Sequence, residues 1–233
     1  MKKNIEVDSI KIEQTIDKLE KRIFERFPNS NLLIICKSLK SLLEETNYKI
    51  AINNKPNYAV RAILILIILI SVVLIFSIVS ITRFNLVSFD LTFVTSLSDS
   101  LFNIIFLFSA GVIYLFSIEN KIKRTKIIKT INKLRSFLHV VDMHQLTKDP
   151  MLNDNEYVRT LSSPKRILKN YELKRYLDYS SEMISLVSKI STLFAQKFQD
   201  DIIISKVNEI ESLSSGIIQK IWLKINNIPS NKD

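Results

Sequence analysis

A chain of 233 residues that is 47% hydrophobic, with two Gly, five Pro and one Cys, has room for one or two domains and too few turn formers for an all-β fold. Lone Cys36 excludes an internal disulfide framework and fits a reducing compartment. A net charge of +10 suits nucleic acid, anionic lipid or a soluble anion as partner, although the positive-inside rule accounts for part of it.

From Ile10 to Phe27, apolar residues at Ile12, Ile16, Leu19, Ile23 and Phe27 recur every three or four positions, the stripe of an amphipathic helix, and Pro28-Asn29-Ser30 stops it. Leu32 to Ile52 repeats the pattern through Leu39, Leu42 and Leu43, so residues 1–60 read as a helical hairpin. Ala62–Ile81 carries no charge over twenty residues, which at 1.5 Å per residue spans the ~30 Å hydrocarbon core of a bilayer. Leu101–Ile118 is a second such run, slightly shorter and preceded by Asp99. Residues 61–118 thus read as a transmembrane hairpin, with helices at about 62–81 and 99–118. Lys49, Lys55 and Arg61 precede it; Lys121, Lys123, Arg124, Lys126 and Lys129 follow, while the loop sets Arg83 against Asp90 and Asp99. That bias places both termini in the cytoplasm. Tyr58 and Tyr114 suit the membrane interfaces.

Glu119–Leu146 holds no helix breaker, and Ile122, Ile127, Ile131, Leu134, Leu138 and Val141 keep a 3–4 spacing, so the second transmembrane helix is expected to continue out of the bilayer. Asp149-Pro150 and the polar stretch Asn153–Ser163 read as a loop, with Ser163-Pro164 offering an N-cap and a Pro at the first helical position. Leu173, Tyr176, Ser180, Met183, Val187, Ile190, Phe194 and Phe198 share one face of the next helix. Asp200-Asp201 caps the last, whose near-heptad seam runs Ile203, Val207, Ile210, Ser214, Ile217, Ile221 and Ile225. Such seams serve self-association or packing within one subunit equally well. The expected fold is an all-α membrane protein: a two-helix transmembrane hairpin with a cytosolic helical bundle at 119–233.

No G-x-x-x-x-G-K-[ST], G-x-S-x-G or H-E-x-x-H is present, and no nucleophile–base pair can be assembled; the chain reads as no enzyme, with no catalytic residue and no cofactor. His139 and Asp142 share a helical face but lack a third ligand, so no metal site is expected; a hydrogen-bond network at this bend is the alternative. Arg159, Lys165 and Arg166 gather at the start of a helix and, with His139, His144 and Lys148, suit a phosphate-bearing ligand; a solvated basic loop is the simpler reading. Duplex nucleic acid is disfavoured, because no basic stripe with interleaved aromatics runs through the sequence. The basic run Lys121–Lys133 suits lipid headgroups. Asp99 and Asn103 lie in line at the outer end of the second apolar run. Either Asp99 snorkels, or Ser98 or Asp99 caps the helix, or in a homo-oligomer the two form an acidic ring above an amide ring at a cation pore. Ser109, Ala110 and Gly111 would let helices approach closely.

The stretches LRSFLHVVDMHQLTKDP, YLDYSSEMISLVSKISTLFAQKFQDD and VNEIESLSSGIIQKIW, between Leu134 and Trp222, resemble an uncharacterised family of small bacterial helical membrane proteins. The hairpin-plus-bundle arrangement is similar to two-helix membrane effectors of anti-phage nucleotide signalling, of the Hailong or CBASS type, in which a nucleotide messenger opens or assembles a pore. The resemblance implies a bacterial inner-membrane location, a homo-oligomeric channel or pore-forming effector, and a small anionic nucleotide as ligand. The alternative is a membrane-anchored helical scaffold that recruits a protein partner.

Overall fold

The computed structural model describes residues 6–81, 91–150, 161–162 and 168–228, and every element among them is helical. In chain order these are α1 (Ser9–Arg26), α2 (Asn31–Asn53), α3 (Tyr58–Ile81), α4 (Leu91–Leu146), α5 (Asn170–Lys197) and α6 (Asp201–Asn226). The chain divides into two compact units, Met1–Asn54 with Lys126–Asp233, and Lys55–Thr125. The N-terminal hairpin and the C-terminal helices, read separately from sequence, share the first unit.

In that unit the helix starts are fixed by local chemistry. Asp8 accepts from the Ile10 N–H at 2.9 Å, Ser30 Oγ from the Leu33 N–H at 3.3 Å, and Asp200 from the N–H groups of Ile202 and Ile203, so orphan donors of α1, α2 and α6 find acceptors. Glu172 reaches back to the Lys169 N–H at 2.9 Å to start α5. Ser163-Pro164 and most of the stretch Asn153–Ser163 lie outside the described residues.

The stripes then close on one another. Ile12, Ile16, Leu19 and Ile23 of α1, Leu39 and Leu43 of α2, and Ile127, Ile131, Leu134, Leu138 and Val141 of α4 join one core with α5 and α6. Helix α5 is its centre: beyond the expected face it also buries Leu177, Tyr179, Ile184 and Leu186, because α1, α2 and α6 all pack on it. The α6 seam from Ile203 to Ile225 is buried at all seven positions inside this chain. Ile122, read as part of the α4 stripe, is 36% exposed and belongs to the other unit. Ion pairs Asp17–Lys40, Arg22–Glu182, Glu45–Lys133 and Arg135–Glu209 tie helices at the rim, each worth about 0–1 kcal/mol at such exposure. Apolar burial holds the bundle; the pairs set register.

The second unit holds α3 and the first part of α4, and its packing is inverted. Phe76, Phe102 and Ile113 are 69–72% exposed, and Ile63, Val73 and Phe106 are exposed too. A protein in water rarely leaves so continuous an apolar surface bare. Two helical stretches here are long and apolar enough to cross a membrane. The 62–81 span lies within α3, which begins at Tyr58, and the 99–118 span lies within α4. Arg83 and Asp90 of the connecting loop fall outside the described residues. Glu119, 5% exposed, accepts from the Asn57 N–H at 2.9 Å and from Lys123 Nζ at 2.8 Å, which fastens the link before α3 to α4.

Two core substitutions should move stability in opposite directions. Leu138→Ala, at a fully buried α4 position, is expected to destabilise the bundle by about 2–5 kcal/mol in a thermal melt. Ser214 Oγ is buried without a hydrogen-bond partner among the described residues, so Ser214→Ala should be neutral or stabilising by up to ~1 kcal/mol.

Candidate ligand cavity and polar membrane face

At one end of the bundle the α1–α2 corner, the last turn of α4 and the start of α5 line an open cavity of about 680 Å³. Phe27 through Asn31 form one wall; Met143, His144, Thr147 and Lys148 form another; Leu168 and Tyr176 complete it. Of the sequence candidates, His144 and Lys148 meet here. His139 does not: it is exposed on another side of α4. Arg159, Lys165 and Arg166 lie outside the described residues.

Several polar groups line the cavity. Lys148 Nζ sits 5.3 Å from the centre of the Tyr176 ring, and no carboxylate pairs with it among the described residues. His144 Nδ1 donates to the Val140 carbonyl at 2.9 Å, which makes Nε2 the acceptor in the neutral ring. Tyr176 is 6% exposed, and burial raises its pKa, so its hydroxyl stays protonated and able to donate. The first turn of α2 opens at Ser30 and Asn31, adding backbone N–H groups and the positive end of a 23-residue helix. Among the described residues no Asp or Glu lines the cavity.

Beside it runs the hydrogen-bond network expected at the bend, with other members. Gln145 Nε2 donates to Asp142 at 2.7 Å, and Lys224 Nζ donates to Gln145 O at 2.9 Å and Oε1 at 2.7 Å. Burial lowers the pKa of Lys224. Among the described residues no group of three His, Cys, Asp or Glu is placed to hold a metal ion.

The sequence carries no basic stripe with interleaved aromatics, yet the fold assembles cation–ring pairs at this end of α1 and α5. Arg22 lies over Tyr179 at 5.6 Å, and Arg26 and Arg175 both face Tyr171, at 5.0 and 5.6 Å. Phe27 meets Tyr176 and Tyr179 edge-on at 5.9 and 6.4 Å. Arg175 and Tyr171 are neighbours on α5, whereas Arg22, Arg26 and Phe27 meet tyrosines more than 140 residues away, pairs that emerge only when α1 packs on α5.

In the second unit, α4 begins at Leu91, two turns before Asp99. Neither Ser98 nor Asp99 is therefore an N-cap; both sit inside the helix. The sides of α3 and α4 that face each other border an apolar cleft of about 740 Å³, lined on α4 by Ile104, Phe108, Gly111 and Leu115 among others. At 3.6 residues per turn, Asn103 lies roughly 110° and Asp99 roughly 150° round α4 from the middle of that lining. Both are exposed. Ala110 and Ser117 follow Asn103 at seven-residue steps, exposed on the same side. Gly111 instead faces the cleft, and a Cβ there would meet nothing within 4 Å, so it serves no close approach of α3 to α4.

No protein-family model matches the chain, and neither a curated protein nor a solved structure matches it.

The Lys224–Gln145 contact is checked by Lys224→Met. Gln145 is 1% exposed, so removing its donor should cost about 1–3 kcal/mol in thermal unfolding, while Lys220→Met on the same helix should change little.

Proposed function

We propose that the chain is an oligomeric membrane channel or pore-forming effector, gated by an anionic ligand on its helical bundle. The observation that carries this reading is the line of Asp99 and Asn103, inside α4 and turned away from α3. A carboxylate and an amide on the outer side of a lone hairpin would face hydrocarbon, where polar groups are costly and normally face a bundle interior or water. Several copies of α4, brought together on that side, convert the line into a water-lined ring. One Asp99 per subunit would draw cations to its mouth. Both termini then lie in the cytoplasm of a bacterial inner membrane, consistent with the Lys/Arg bias around the hairpin. A nucleotide messenger and a role in anti-phage defence follow from the resemblance of the architecture to such effectors.

The same unbroken helix carries Asp99 and His144, so a ligand that favours one arrangement of the bundle end acts on the element that lines the pore. It can do so only through different affinities for the closed and open states. A second reading, a membrane-anchored scaffold, draws on Trp222 and Leu223, which are 54% and 66% exposed on α6 and would suit a partner protein.

Recordings in planar bilayers separate the two. A pore should give discrete currents whose cation conductance falls severalfold in Asp99→Asn. Currents of unchanged conductance and selectivity would remove Asp99 from the pore. Function that survives exchange of both membrane helices for unrelated anchors would establish the scaffold.

A further inference from the structure

We infer that the cavity between the α1–α2 corner and the end of α4 is a binding site for a small phosphate-bearing molecule with a flat apolar body. The phosphate is held by Lys148, the Tyr176 hydroxyl and the first-turn N–H groups of α2. Two independent features meet in this space. The first is the N-terminus of a 23-residue helix, whose N–H groups and dipole favour an anion. The second is Tyr176. It is 94% buried by its 6% exposure, it lines the cavity, and its hydroxyl has no hydrogen-bond partner among the described residues. The hydroxyl is not one of the buried orphan atoms, which among the described residues are Thr46 Oγ1 and Ser214 Oγ, so it is open to the space that Tyr176 lines and free to donate there. An incoming oxyanion supplies that partner.

Lys148 adds the charge. Its ammonium rests over the Tyr176 ring and is not neutralised by a carboxylate among the described residues, so it is available to an anion at the same place. Phe27, Met143 and Leu168 supply the apolar remainder of the wall. A fully hydrated inorganic ion would leave that surface in contact with water, whereas a ligand with an aromatic or other flat apolar portion covers it. Tyr176, Ser30 and Asn31 carried no signal in the sequence beyond stripe and turn; the cavity joins them to Lys148.

The site rests on this geometry alone; that it gates the membrane segment rests on the channel reading above. Binding is therefore measured without current. Phenyl phosphate, titrated calorimetrically into the full chain in detergent, should bind with a Kd of about 1 mM or tighter, as its size allows. Phenol and inorganic phosphate, the two halves of the probe, should each bind at least tenfold more weakly. Lys148→Ala should weaken phenyl phosphate at least tenfold. Tyr176→Phe keeps the ring packing against Phe27 and should weaken it about threefold, while Lys129→Ala, outside the cavity, should leave it unchanged. No binding to the folded wild type, or equal binding in Lys148→Ala and Tyr176→Phe, overturns the assignment. Binding that is intact while currents ignore the ligand would refute gating and leave the site standing.

Discussion

Helix α4 meets two opposed burial requirements on one backbone. From Phe102 to Phe116 most of its large side chains are exposed; from Ile127 to Val141 it buries a single stripe in a core shared with four other helices. A helix apolar all round is stable where its surroundings are apolar, whereas a helix with one apolar stripe is stable against a partner in water. The change of pattern is the one that a passage from bilayer to water would require. It falls near Glu119, whose carboxylate is satisfied by Lys123 and the Asn57 N–H, and it is followed by the basic run that lipid headgroups favour. No helix breaker interrupts α4 between the two regimes.

The polar residues of the apolar part of α4 stand out against it. Two turns of helix before Asp99 remove the explanation that it is merely a cap. Gly111 looks toward α3 across open space, while Asn103, Ala110 and Ser117 repeat at heptad spacing on another side. Small and polar residues at that spacing are what a membrane helix uses to meet other helices. On the proposed reading this side of α4 meets its copies, and the α6 seam, already buried against α5, is not the surface that does so.

Helices were legible where periodicity was strong. The stripes of α1 and α6 and the unbroken exit of α4 follow directly from 3–4 spacing, since one buried face dictates one apolar row. The central place of α5 was not, because its second buried set, Leu177, Ile184 and Leu186, is interleaved with polar residues and makes sense only when three neighbours are known. The start of α4 was missed for the opposite reason: Leu91–Ser98 mixes apolar residues with Thr and Ser and lacks a cap signal, so Asp99 looked like a beginning. At the cavity, His144 and Lys148 were named from sequence because charge is visible one residue at a time. Tyr176 and the α2 N-terminus were not, because a core tyrosine and a helix start become a site only through tertiary contact. The sequence also grouped His139 with them, but five residues along a helix turn a side chain through ~140°.

The central claim is that copies of α4 meet through the side bearing Asn103 and Ala110. Burial pushes the thiol of Cys36 up to about 12, so this cysteine is unreactive at neutral pH and new ones report alone. Single cysteines at Asn103, Ala110 and Gly111, oxidised in the native membrane, make the measurement. Disulfide-linked dimers at positions 103 and 110, and none at 111, are the expected outcome. A chain that stays monomeric at all three, or that links only through position 111, would contradict the account.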